Sequence, residues 1–159
     1  MRTKTHVGRT TAGTQGDVVV FLIGMRVNHF WAVHRWLPVF IAMPMMLKEL
    51  NSDRSLGLLH HILLTGSPRT YMVVQYWESK EKLLAYAAAP QRRHHPWWAR
   101  INRYARNSRG HVGIWHETYV VPEGSYETIY GDMPPQGLGK AFGVANLADG
   151  VQAQDRLRV

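Results

Sequence analysis

Cysteine is absent from this chain of 159 residues. That excludes a disulfide scaffold, a thiolate metal site, an iron–sulfur cluster and a cysteine nucleophile. It accords with a reducing compartment, and a cytoplasmic setting is expected. Charge is also sparse, at 19% of residues against 45% hydrophobic, a balance too apolar for a disordered chain. Acids are the scarcer sign: 11 Asp and Glu face 19 Lys and Arg, a formal net charge of +8. Between Gln91 and Arg109 there are arginines at 92, 93, 100, 103, 106 and 109 and no acid. Such a stripe either attracts phosphates, an anionic membrane or an acidic substrate, or is the solvated face of a helix.

Long apolar runs are missing too. The longest, Trp36 to Leu47, contains Pro38 and Pro44 and falls short of the roughly 20 residues a spanning helix needs. It reads as a buried or interfacial helix. The polar opening, Met1 to Thr10, has no apolar segment behind it and does not read as a secretory signal. Gly137-Leu138-Gly139-Lys140 lacks the third glycine of a dinucleotide loop and the ending of a P-loop. There is no Gly-x-Ser-x-Gly elbow, and no helical histidine pair joined by a carboxylate, so no metal site is expected.

What is present suggests one folded domain. Asp17 to Val27 is apolar on both alternating faces and must be covered on both sides. Phe30 to Leu50 has helical spacing, with an interruption expected at Pro38 or Pro44. Leu56 to Thr65 and Arg69 to Trp77 flank Gly66-Ser67-Pro68 and predict a hairpin. Ser79 can cap a helix starting at Lys80, and a second helical stretch runs from Trp97, with Ile101 and Tyr104 on the face opposite Arg103 and Arg106. His111 to Val121 is the last strand of this unit.

The order βαββαβ predicts an α+β fold, the ferredoxin-like split βαβ, with an antiparallel sheet and both helices on one face. The domain is expected over residues 17–121, after a flexible N-terminus at 1–16. A C-terminal extension at 122–147 packs on the domain or on a partner and holds a short strand at Tyr126 to Tyr130; a flexible tail follows at 148–159. Because the first strand is apolar on its outer face as well, a homodimer formed sheet against sheet is expected.

Several blocks carry a family resemblance. Tyr76-Trp77-Glu78-Ser79, Leu83-Leu84-Ala85-Tyr86-Ala87 and His94-His95-Pro96-Trp97-Trp98 resemble the antibiotic-biosynthesis-type monooxygenases of the dimeric α+β-barrel superfamily. Within that superfamily, Phe30-Trp31, Trp36-Leu37-Pro38, Gly113 to Tyr119, Tyr126-Glu127 and Met133 to Gly139 are similar to a branch of monooxygenases that includes a member of fungal meroterpenoid biosynthesis. The resemblance implies a dimeric α+β barrel, with a pocket between each sheet and its helices. It also implies oxidative tailoring of a small hydrophobic aromatic or terpenoid substrate in secondary metabolism.

The candidate catalytic residues are His95 and His116. His95 precedes the Trp97 helix, where the resemblance places a histidine at the pocket mouth; it would act as a base, as a haem ligand, or only as part of a polar helix entrance. His116 shares a strand face with Val112, Ile114, Thr118 and Val120, and is either a catalytic or a satisfied core imidazole. Glu117, on the other face, suits an interface. Asn28 and His29 end the first strand, and Trp31, Trp36, Trp77 and Trp98 are candidates for a substrate-binding wall or for core. No cofactor is evident from the residues, since a substrate that gives electrons to oxygen after deprotonation needs none. Haem, with nine histidines available, is the alternative. A non-catalytic ligand carrier and a peripheral membrane contact through Trp36 to Leu47 are further readings. Nucleic acid is not expected, because the nearest RNA-binding motif, Arg109 to Ile114, lacks its aromatics.

Overall fold

The computed structural model describes residues 5–88, 96–147 and 152–157. Its centre is a four-stranded antiparallel sheet in the order β3-β4-β2-β5, formed by β2 (Val18–Val27), β3 (Leu58–Ser67), β4 (Thr70–Trp77) and β5 (Val112–Val121). With helices α1 (Val33–Ser52), α2 (Lys80–Ala87) and α3 (Pro96–Asn107) inserted between the strands, this is the ferredoxin-like α+β fold.

Alternation along the strands sorts the residues into two faces. Val19, Phe21, Ile23, Met25 and Val27 of β2 join Val73 and Trp77 of β4 in the core, against Val39, Ala42, Met46 and Leu50 of α1. Val18, Val20 and Leu22 point the other way.

Helix α1 runs unbroken through Pro38 and Pro44, against the expected interruption. Each proline deprives the carbonyl four residues earlier of a partner. Those carbonyls belong to His34 and Phe40, both exposed residues that water can reach. Among the described residues, no helix is long and apolar enough to cross a membrane. Ser79 does cap α2, its side chain accepting from the Lys82 N–H at 3.2 Å.

The ends of the chain depart from expectation. Instead of a wholly flexible N-terminus there is a strand, β1 (His6–Ala12), between β6 (Tyr130–Met133) and β7 (Val144–Asn146) in a second sheet. The short strand expected at Tyr126 to Tyr130 begins only at Tyr130. The Tyr126 hydroxyl instead donates to the Gly16 carbonyl at 2.7 Å, and Thr128 bonds the Thr11 hydroxyl and the Ala12 N–H. In the tail, α5 (Ala153–Arg156) is tied back by Arg156 on Glu127 at 2.7 Å. Local composition hid these segments, because β1 finds its partners more than a hundred residues away.

Between β6 and β7, α4 (Leu138–Phe142) lies near the outer face of the main sheet. A Cβ on Gly137 would come within 3.0 Å of the Tyr76 hydroxyl.

Candidate functional site

Three separate places hold the chemistry-bearing side chains. The first is the helix-facing side of the sheet, where the register sets His61, Gln75, Phe21 and Thr118 in one row across β3, β4, β2 and β5. His116 lies in the next row, opposite Ile23, with its ring 5.6 Å from that of Phe21.

Gln75 is only 1% exposed. Its Oε1 accepts from the Trp77 indole N–H at 2.9 Å, while its Nε2 has no hydrogen-bond partner among the described residues. A buried amide N–H without an acceptor is costly, so this donor is suited to a polar atom brought between sheet and helices. His116 does share a face with Val112, Ile114, Thr118 and Val120, as its alternation required. It is nevertheless exposed and not a core imidazole, because β5 is an edge strand. At about 4.8 Å per strand, Gln75 and the β5 row stand about 10 Å apart, with Phe21 between them.

At the other edge, His60 and His61 point to opposite faces. Burial lowers the pKa of both, and the neighbouring His61 and Lys140 lower that of His60 further. His60 stacks on Tyr76 with ring centres 6.2 Å apart.

The second place is the end of the sheet where β2 leads to α1. The Nδ1 atoms of His29 and His111 are 3.2 Å apart, and Trp31 meets the His111 ring edge to face at 4.9 Å. Local desolvation, then the charges of His29, Arg35, His34 and Arg109, lower the pKa of His111. Asn28 donates to the Gly110 carbonyl at 2.9 Å and Trp36 to the Phe30 carbonyl at 3.1 Å, bonds that fasten the turn. The third place is the far end of β4, where Trp77 is 1% exposed and packs on Tyr86 in the core.

The expected wall of Asn28, His29, Trp31, Trp36 and Trp77 is therefore not one surface. Trp77 closes the opposite end of a sheet about 23 Å long, since seven residues separate it from Thr70, the partner of Arg26. His95 lies outside the described residues, as does the side chain of Trp98. On the outer face, Glu117 accepts a short hydrogen bond from the Tyr119 hydroxyl, which raises the Tyr119 pKa. Gln75 was missed by the sequence reading. Its signal was a lone amide at the inward parity of Val73 and Trp77 in an otherwise apolar strand. Among the described residues, no group of three or more His, Asp or Glu could hold a metal ion.

Comparison with known proteins gives this geometry a family. An aldoxime dehydratase solved in complex with butyraldoxime matches 86% of this chain and 43% of its own, with a TM-score of 0.54 and 13% identity, a likeness of fold. SnoaB of Streptomyces nogalater, described as a cofactor-independent oxygenase, is matched over 65% of this chain and 91% of its own, with a TM-score of 0.44 and 14% identity. Monooxygenase af470 of Aspergillus fumigatus is 32% identical over 165 residues, which cover 91% of this chain and 58% of that protein. The chain thus spans a little over half the length of this relative. The profile of the family described as Monooxygenase af470-like matches residues 18–138, the whole four-stranded sheet with its helices. The chain belongs to the Monooxygenase af470-like family.

Proposed function

We propose that this chain is a monooxygenase domain that oxidises a small hydrophobic aromatic metabolite held between the sheet and its helices, without a bound cofactor. The observation that carries this reading is the Gln75 amide, buried with an N–H donor that has no partner among the described residues and separated from the His116 imidazole by the Phe21 ring. A planar substrate over Phe21 would place a carbonyl or phenolate oxygen on Gln75 and an acidic C–H toward His116.

Loss of that proton to His116 leaves a carbanion delocalised into the aromatic system. The carbanion reduces O2, a hydroperoxide forms at the same carbon, and water is lost. For an activated methylene the balance is CH2 + O2 → C=O + H2O, with all four electrons drawn from the substrate carbon. No external reductant enters. An aromatic substrate therefore suits this chemistry better than a saturated terpenoid, which cannot stabilise the anion.

His95 is the second candidate base and the candidate ligand should haem be bound. A second copy packed on Leu22, Leu64, Val74 and Trp115 of the outer face would complete the barrel.

The test is oxygen uptake with an anthrone-type probe, combined with an absorption spectrum of the purified chain. A colourless protein is expected, in which His116→Ala lowers turnover by roughly 10² at unchanged melting temperature. A Soret band lost on His95→Ala would move the chemistry to haem. Full activity of His116→Ala would remove this base.

A further inference from the structure

Helix α1 carries apolar residues on its outward side as well as its inward side, and the core takes only the inward ones. Val39, Ala42, Met46 and Leu50 are at most 1% exposed, as core demands. On the opposite side Val33, Leu37, Ile41 and Met45 follow each other at every fourth residue and are 45%, 38%, 44% and 39% exposed. They form an apolar line about 18 Å long. Ahead of the helix, Trp31 is 72% exposed.

Cations predominate around this strip. Neither residues 18–48 nor residues 82–116 contain an Asp or Glu, and Glu49, the next step on the line after Met45, has its Oε2 buried. Arg35 donates to the Asn107 carbonyl at 3.0 Å, which brings the end of α3, with exposed Arg106 and Arg109, beside the start of α1. Arg69 lies over the Phe30 ring at 4.5 Å, next to Trp31 in the chain, and Lys48 stands at the far end of the strip.

We propose that this face docks on an anionic phospholipid bilayer, with α1 lying in the interfacial plane and Trp31 at headgroup depth. An exposed apolar stripe about 120° wide, bordered by cations and led by an indole, is what an interfacial helix presents. The arginines meet lipid phosphates and the line from Val33 to Met45 meets the acyl boundary. A second copy is a poorer occupant. Antiparallel α1 helices would set Arg35 against Lys48 and parallel ones would set each against itself, while the Oε2 of Glu49, the one acid of the helix, is buried. The inference does not depend on the enzymatic reading, because vesicle binding is read without turnover.

The experiment is co-sedimentation of the full chain with phosphatidylcholine vesicles, with and without phosphatidylserine. Binding is expected only when phosphatidylserine is present, should fall at high salt, and should be at least about tenfold weaker for Ile41→Glu/Met45→Glu, which places two carboxylates at the acyl boundary. Should that variant melt early, Trp31→Ser, on the exposed turn, is the second probe and should lose the blue shift of tryptophan emission on binding. Failure to sediment with phosphatidylserine would overturn the proposal. So would undiminished binding by both variants, conversion of a dimer to a monomer by Ile41→Glu/Met45→Glu with vesicle binding intact, or tighter retention of the chain by a single-stranded oligonucleotide than by the vesicles.

Discussion

Gly24 shows how one side chain sets the shape of the outer face. The Trp115 indole lies across it so closely that a Cβ at position 24 would collide with the indole nitrogen. Gly24→Ala should therefore push Trp115 away and cost about 1–3 kcal/mol, the usual range for overpacking, measured by denaturant unfolding. A variant as stable as the parent would mean that the indole moves freely. Trp77 is the opposite case, a buried ring with its N–H satisfied by Gln75. Trp77→Ala should cost about 3–5 kcal/mol, and it would also free the second half of the Gln75 amide. Gln75→Leu keeps the volume but removes both the Nε2 donor and the acceptor of the buried Trp77 N–H, so it should cost about 1–3 kcal/mol in stability as well as weaken binding of an oxygen-bearing substrate.

At the scale of elements, the caps and edges decide what is robust. The Ser79 cap holds the first turn of α2, and Ser79→Ala should cost about 1 kcal/mol, read as loss of stability with the fold unchanged. The edge strand β3 carries the pH response. His60 and His61 have pKa values held below the ordinary 6.5 by burial. The neutral forms are thus favoured in the folded chain. Above pH about 6.5 folded and unfolded chains are both neutral at these positions, and their contribution is complete. Below it the unfolded chain takes up protons that the folded chain resists, so stability falls with pH until the lowered folded pKa values are passed. The melting temperature should drop between pH 7 and pH 5, and less so in His60→Gln/His61→Gln. Equal drops in both proteins would place the acid sensitivity elsewhere, with His111 the next group to replace.

For the whole molecule, the outer face of the sheet is covered in part from within the chain. Trp115 folds over Gly24, and the segment at Gly137 reaches Tyr76. Leu64 and Tyr119 remain 41% and 48% exposed. A dimer formed sheet against sheet would bury them, and light scattering at micromolar concentration should give twice the chain mass, reverting toward one chain in Leu64→Asp. A monomeric parent would mean that the C-terminal extension already supplies the cover. This equilibrium is separate from vesicle docking, since the two surfaces lie on opposite sides of the sheet: one is the outer sheet face, the other the exposed side of α1.

What the sequence determined by itself was local and periodic. Alternation in β2 and β5, the Ser79 cap and the βαββαβ order were legible because each rests on neighbours within a few residues, and they suffice for the ferredoxin-like fold. The face assignment of His116 and Glu117 followed from the same parity. Tertiary structure alone decided the rest. That β5 is an edge strand exposes His116, which parity cannot reveal. That His29 meets His111, Trp31 joins them and Trp77 stands at the far end depends on pairing over distances that composition does not encode. The strand at His6–Ala12 exists because Tyr130–Met133 and Val144–Asn146 flank it. No local pattern announces a partner more than a hundred residues away, since the free energy of such a strand lies in the sheet it completes and not in its own residues.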